Sequence, residues 1–294
     1  MSDQDVPLAV LWKNGEKTHL TDGASDAEAF AVYVLENDVY VAGYEYNQGV
    51  KVAKVWKNGE ASSLTDGTAN AQAKSIQVIR NDVYVCGYES NGLKTVAKVW
   101  KNGIETELSD GTTFAIASSI HVSGNDIYVA GYESNGGKDA SKLWKDGAEI
   151  PLENGFEISE AKAVHVSGSD VYVVGYRYIA ARFVATLWKN GEEALLTNGQ
   201  DHASANDVFV SANDVYVAGS EDLNGTTIAK IWKNGEETLL SDGTNGAKAH
   251  SVYVLNGVVY AVGNDSSVAK IWINGVEKTL SKEALARGVF VVSN

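Results

Sequence analysis

Proline is almost absent from this chain, with two residues in 294, and cysteine and methionine occur once each. With Cys86 alone, no intrachain disulfide and no cysteine-built zinc site can form, and the redox compartment stays open. Two prolines beside 29 glycines argue against a proline-rich linker protein and for many short strands joined by glycine turns. No apolar run approaches the length of a membrane-spanning helix, and the 3.6-residue period of a helical solenoid is missing. Basic residues are outnumbered 24 to 38, for a net charge of −14. Phosphate backbones and anionic lipid surfaces would be repelled, so no nucleic-acid partner is expected. Residues 1–7 read as an acidic tail. Met1-Ser2-Asp3-Gln4-Asp5 is acidic where a secretion signal would be basic and then apolar. The acidity, the single cysteine and the repeats described next set the expectation of a bacterial periplasmic or cell-surface protein ahead of a cytoplasmic one.

What is abundant is repetition. Trp12, Trp56, Trp100, Trp144, Trp188 and Trp232 are spaced 44 residues apart, and Trp272 follows 40 residues later, after a four-residue deletion between Gly263 and Trp272. The segment VAKVWKNG occurs at Val52–Gly59 and again at Val96–Gly103, with close copies around the other tryptophans. One unit, residues 67–110, divides into four strand candidates by alternation and β-branched content: SIQV, DVYVCGYE, VAKVW, and a short piece ending at Leu108. These are strands a to d. Asn81-Asp82, Asn91-Gly92 and Asn102-Gly103 mark the predicted hairpin turns; Asn-Gly suits a type I′ turn, in which both central residues take positive φ. Four antiparallel strands repeated every 44 residues predict the blades of an all-β propeller in a single domain over residues 1–294.

The a–b pair, as in SIHVSGNDIYVAGYE at Ser119–Glu133, resembles the NHL and YVTN-type propeller repeats. The resemblance spans nearly the whole chain and implies the fold, with strand a innermost and d outermost. It implies no activity, because such repeats carry enzymes, lectins and scaffolds alike. Strands c and d occur seven times, strand a seven times if Gly288–Val292 is included, and strand b six times. The economical reading is seven blades, one assembled from both chain ends, with its b strand missing or replaced by Ser2–Pro7. Six complete blades is the second choice, and would leave Trp12 and Phe290 without their usual neighbours.

The repeating tryptophans invite a sugar-stacking role, but an element present in every unit is better read as a filler between blades; the same holds for Tyr40, Tyr84, Tyr128, Tyr172, Tyr216 and Tyr260. Lysines after the tryptophans (Lys13, Lys57, Lys101, Lys145, Lys189, Lys233) and aspartates of the a–b turns (Asp38, Asp82, Asp126, Asp170, Asp214) predict a solvated, mixed-charge end. Asp22, Asp66, Asp110 and Asp242, each followed by glycine, with Asn154 and Asn198 at the same place in two units, read as turn residues; calcium would need six to eight oxygens.

The opposite end of each unit is where the repeats disagree inside a fixed frame. The residue before strand a reads Phe30, Lys74, Ser118, Lys162, Asn206, His250 and Arg287, each preceded by alanine. The b–c loops differ as well, with Tyr46 and Tyr178 prominent. Loops on a rigid scaffold are where recognition usually resides. These nine residues are the candidate ligand-binding set, for a protein or glycan partner of a monomeric, non-enzymatic propeller with no cofactor and no metal. His121 and His165, at one strand-a position in neighbouring units, read as inter-blade packing. The alternative is a metal-dependent hydrolase or lyase using Glu160, Asp201, His202 and Asp207. No Ser-His-Asp, His-Glu-x-x-His or phosphate-loop pattern supports it.

Overall fold

The computed structural model of the chain describes residues 6–152 and 158–293. It divides into two compact units, residues 1–117 and 118–294. Among the described residues all regular structure is β, in six four-stranded antiparallel sheets, each running a-b-c-d in chain order, and one two-stranded sheet. This is the blade architecture of a β-propeller.

The first unit holds the two-stranded sheet, Val10–Lys13 with Glu16–His19, and blades 1 and 2. Their a strands are Ala27–Leu35 and Ala71–Ile79, and their b strands Asp38–Asn47 and Asp82–Ser90. Strand a of blade 3, Phe114–Ser123, runs across the boundary between the units. The second unit continues with a strands Ser159–Ser167, Ala203–Ser211 and Ala247–Leu255 of blades 4 to 6. Observed strand a is longer than predicted, starting four residues before Ser75 in blade 2, because its first residues pair with the far end of strand b, as Ala71 does with Glu89.

The turn chemistry of the VAKVWKNG motif explains its recurrence. Asn58 and Gly59 take φ of 52° and 88°, and all seven c–d turns share this left-handed pair. The asparagine then does a second job. Asn58 Oδ1 accepts from the Val39 amide at 2.9 Å, and its Nδ2 donates to Asp38 Oδ1 at 2.7 Å. The c–d turn is thereby fastened to the a–b turn of its own blade, and Asn102, Asn190 and Asn234 repeat the arrangement. The a–b turn of blade 2 is centred on Arg80-Asn81, one residue earlier than predicted, since Asp82 already pairs with Ile79. Asn91-Gly92 is not a two-residue turn: Asn91 Oδ1 accepts from the amides of Leu93 and Lys94, which makes a wider loop.

The tryptophans fill the space between consecutive sheets. Trp100 of blade 2 packs on Tyr40, Ala42, Ala53 and Val55 of blade 1. Trp232 and Trp272 do the same one and two blades after Trp188. Trp56, Trp100, Trp188, Trp232 and Trp272 are 0% exposed. Their indole N–H groups meet no described acceptor, so apolar bulk is what the position uses. Trp12, on the two-stranded sheet, is half-buried.

The stretch Gly288–Val292 is not a strand, but it extends the inter-blade pattern of the second unit by one place. Phe290 packs on Tyr253 of blade 6 with ring centroids 4.8 Å apart, and the Val289 amide donates to Ser251 Oγ at 3.4 Å. Of Ser2–Pro7, residues 2–5 lie outside the described residues; the Pro7 carbonyl accepts from the Ala27 amide at 2.9 Å.

Candidate functional site

The fixed frame around the variable residues is a β-bulge. In blades 1, 2, 4, 5 and 6 the a–b register slips by one residue, between Ala29 and Ala31, Ala73 and Ser75, Ala161 and Ala163, Ala205 and Asp207, and Ala249 and Ser251. The extra residues are Phe30, Lys74, Lys162, Asn206 and His250. A bulge leaves one residue unmatched by the partner strand and re-aims its side chain, so its identity is freed from the pairing around it. The frame itself is tight. Opposite the bulge stand Gly43, Gly87, Gly175, Gly219 and Gly263, where a Cβ would come within 1.8–2.1 Å of the carbonyl oxygen of residue 28, 72, 160, 204 or 248. Ala73, Ala161, Ala205 and Ala249 are 0% exposed. Alanine and glycine recur because nothing larger fits. Ser118 sits half-buried at the same offset in strand a of blade 3.

In the first unit, Phe30, Lys74 and Tyr46 come together. The Lys74 ammonium lies 3.7 Å from the Phe30 ring centroid and donates to Gln72 Oε1 at 3.5 Å. Phe30 packs on Tyr44 at 5.9 Å, and Tyr44 meets Tyr46 edge-on at 5.8 Å. Lys51, opposite Tyr46 across the b–c hairpin, places its ammonium 4.5 Å from the Tyr44 centroid. Burial, with the nearby Glu28 carboxylate, pushes the Tyr44 phenol up to about 12. The result is an aromatic and cationic patch with carboxylates at its edge.

The second unit carries a related patch in blade 4. Tyr178 packs on Phe183 at 5.3 Å, and Phe183 on Tyr176 at 4.8 Å and His202 at 5.2 Å. Tyr178 and Phe183 remain 36% and 37% exposed, so the patch faces solvent. Lys162 donates to Ser204 Oγ at 2.8 Å and Asn206 Oδ1 at 3.2 Å, and lies 5.3 Å from the Tyr176 centroid. Asn206 Nδ2 donates to the Ala249 carbonyl at 2.8 Å, joining blades 5 and 6. His250 Nε2 sits 2.6 Å from Asn264 Oδ1. Burial, with the positive charges of Arg287, Lys248 and Lys162, holds the His250 imidazole down at about 4 despite that hydrogen bond. Lys162, Asn206, His250 and Arg287 thus form one neighbourhood within this unit.

Tyr44, Tyr176 and Lys51 are site neighbours that the repeat comparison passed over, and Phe183 and Lys248 stand at its variable positions outside the candidate set. The signal was present: only blades 1 and 4 read Tyr-x-Tyr at the end of strand b, at Tyr44-Glu45-Tyr46 and Tyr176-Arg177-Tyr178. Blade 4 also inverts a charge pattern. Lys98 of blade 2 bonds Glu89 at 2.7 Å and Glu105 at 3.0 Å; burial opposes its charge, yet these bonds raise the ammonium above its ordinary value. In blade 4 the lysine position is Thr186 and the first glutamate is Arg177, which pairs with Glu193 instead. The cation has moved from strand c to strand b and kept a carboxylate on strand d.

Three residues of the metal-site alternative, Glu160, His202 and Asp207, have other partners. Asp207 Oδ2 accepts from Ser251 Oγ at 2.7 Å and the Val252 amide at 2.9 Å, stapling blade 5 to blade 6. Burial pushes its carboxyl up to about 6. Ser119 makes the equivalent link to the Val164 amide at 3.3 Å. His202 Nδ1 accepts from the Phe183 amide at 3.1 Å. Among the described residues no three His, Cys, Asp or Glu side chains are grouped to hold a metal. His121 packs on His165 at 4.6 Å and His165 on Phe209 at 4.9 Å, in a column continued by Tyr253 and Phe290. Burial lowers the two imidazoles to about 4 and about 3. The turn aspartates act locally, as expected: Asp66 Oδ1 accepts from the amide and hydroxyl of Thr68, and Asp110 and Asp242 do likewise with Thr112 and Thr244. Asn198 accepts from the Gln200 amide, and Asn154 lies outside the described residues.

No protein-family model and no curated relative matches the chain. Solved propeller structures do match its fold. A chain of the nidogen/laminin complex aligns with a TM-score of 0.51 at 10% identity, over 87% of this chain and 95% of that one. TolB from Acinetobacter baumannii aligns with a TM-score of 0.56 at 10% identity, over 84% of this chain and 65% of that one, so the chain spans just under two thirds of TolB. The likeness establishes the β-propeller architecture. No helix among the described residues is long and apolar enough to cross a membrane.

Proposed function

We propose that the chain is a non-enzymatic binding propeller that recognises a protein or glycan partner through its bulge residues and b–c loops. The observation that carries this reading is the bulge. At one backbone position, held by the same alanine and glycine in five blades, the side chain changes from aromatic to cationic to amide to imidazole. A packing role would ask for one residue type there, as it does at the tryptophans. The aromatic patches support it too: half-exposed tyrosines beside lysines and carboxylates offer a stacking surface and hydrogen-bonding groups, the combination that both sugars and protein side chains use. Nidogen, seen in complex with laminin, is a propeller neighbour that binds a protein partner, and the analogy is one of fold. The candidate set remains Phe30, Lys74, Ser118, Lys162, Asn206, His250, Arg287, Tyr46 and Tyr178, in a monomer.

The test is a glycan-array and cross-linking screen of the wild-type chain, followed by a variant carrying Phe30→Ala, Lys74→Ala, Lys162→Ala and His250→Ala. The variant, with an unchanged far-UV spectrum, is expected to lose the partner. Full retention of binding by a folded variant would remove these residues from the interface.

A further inference from the structure

In a chain of net charge −14, many lysines sit beside carboxylates. Lys57, Lys101, Lys145, Lys189 and Lys233 pair with aspartates of their own blades, and Lys54, Lys98, Lys142, Lys230 and Lys270 with glutamates. Lys162 differs. It is half-buried, makes no ion pair with a described residue, and is held by two neutral acceptors, the Ser204 hydroxyl and the Asn206 amide oxygen. An ammonium has three N–H bonds, so one is left over. Ser204 in turn donates to Asn206 Oδ1 at 3.0 Å, and Asn206 is anchored to the Ala249 carbonyl, so the ammonium is positioned and not merely tolerated.

Further positive charge gathers beside it. Asn206 bonds the residue that lies between Lys248 and His250 on one strand. The Ser251–Val289 contact brings the segment that carries Arg287 against the same strand. Lys248 is exposed. The carboxylates near these cations include Glu160, which neighbours Lys162 and hydrogen-bonds Tyr176, and Asp207, which is occupied by Ser251 and Val252. His250 is neutral and its tautomer is fixed. Asn264 Nδ2 donates to the Ser266 carbonyl at 2.7 Å, so its Oδ1 faces the imidazole and Nε2 must donate, leaving Nδ1 as a lone pair.

We propose that Lys162, Lys248 and Arg287, with His250 beside them, form an oxyanion-binding subsite of the second unit, which takes a carboxylate or a phosphate or sulfate ester carried by the partner. The inference rests on the bulge residues being the recognition end, and it narrows the ligand to one bearing negative charge. A bound anion gives Lys162 a direct ion-pair partner in addition to its two neutral acceptors and the nearby Glu160, and it also opposes the cations that hold His250 neutral. Anion binding therefore favours protonation at Nδ1 and takes up a proton.

The test uses the full chain and isolated anions. Acetate, inorganic phosphate and sulfate are titrated calorimetrically at constant ionic strength in chloride, while the His250 ring signals are followed by NMR across pH. One saturable site is expected, with the His250 pKa rising from about 4 as anion is added. Lys162→Met should weaken binding at least about tenfold, as loss of a partner to a charged hydrogen bond does. The exposed Lys248→Met should weaken it by less and guards against misfolding of the first variant, while Lys233→Met at the turn end should leave it unchanged. Preference for acetate assigns a carboxylate; preference for phosphate or sulfate assigns an ester. Absence of saturable binding, an unmoved His250, or equal binding by Lys162→Met overturns the proposal. Because no partner is present, failure here leaves the partner-binding test above to stand or fall alone.

Discussion

Each blade has two ends that meet water, and they differ in kind. At the turn end, the same Lys–Asp pair recurs in five blades at 2.7–3.1 Å, with an asparagine fastening one turn to the other in four of them. At the bulge end no two consecutive blades carry the same residue. The turn residues are repeated because they do the same local structural job in each blade that carries them. The bulge residues are released from that job by backbone geometry, since the alanine before them and the glycine across from them already hold the frame. The backbone at the bulge should therefore be intolerant and its side chain tolerant, whereas the exposed charges at the turn end should contribute little to stability.

Gly87→Ala should produce the largest effect. Its Cβ would stand 1.9 Å from the Gln72 carbonyl oxygen, a backbone atom that cannot swing away. We expect a loss of about 3 kcal/mol or more in urea unfolding, at the upper end of overpacking costs, against little change for Lys74→Ala one strand away. If the two cost the same, the bulge does not separate frame from side chain.

Asp207 comes next, through pH. Its carboxyl is raised to about 6 from 3.8, so between those values the folded chain holds a proton that the unfolded chain has lost. That contribution is fully present below pH 3.8 and is lost as pH rises through about 6. Asp207→Asn does not titrate. The stability difference should therefore move in favour of the variant by roughly 2 to 3 kcal/mol between pH 4 and pH 7. Parallel pH profiles for the two proteins would show that the inter-blade staple carries a charged carboxylate.

Lys101→Ala should do least. Its pair with Asp82 is exposed on both sides, and exposed pairs contribute about 0 to 1 kcal/mol. Thermal unfolding should shift little, and partner binding not at all. A loss of binding in this variant would move recognition to the turn end and overturn the contrast.

The amino-acid sequence by itself determined the blade. The 44-residue period, the a-to-d strand order, the c–d Asn-Gly turns and the role of tryptophan as filler were all legible, because each depends on residues close in sequence and is stated many times over. The variable positions were legible as a column of differences beside an unvarying alanine, though not as bulges: alternation in SIQV gives no sign that the strand begins at Ala71 and slips at Lys74. Tertiary structure decided what those residues meet. Lys162 reaches Ser204 and Asn206, 42 and 44 residues away, and Asp207 reaches Ser251 at 44. Contacts one period apart leave no local pattern, since the partner is set by how one sheet packs on the next. The same is true of charge. Lys98 and Lys162 are equally cationic as letters, and only packing gives one two glutamates and leaves the other with neutral acceptors.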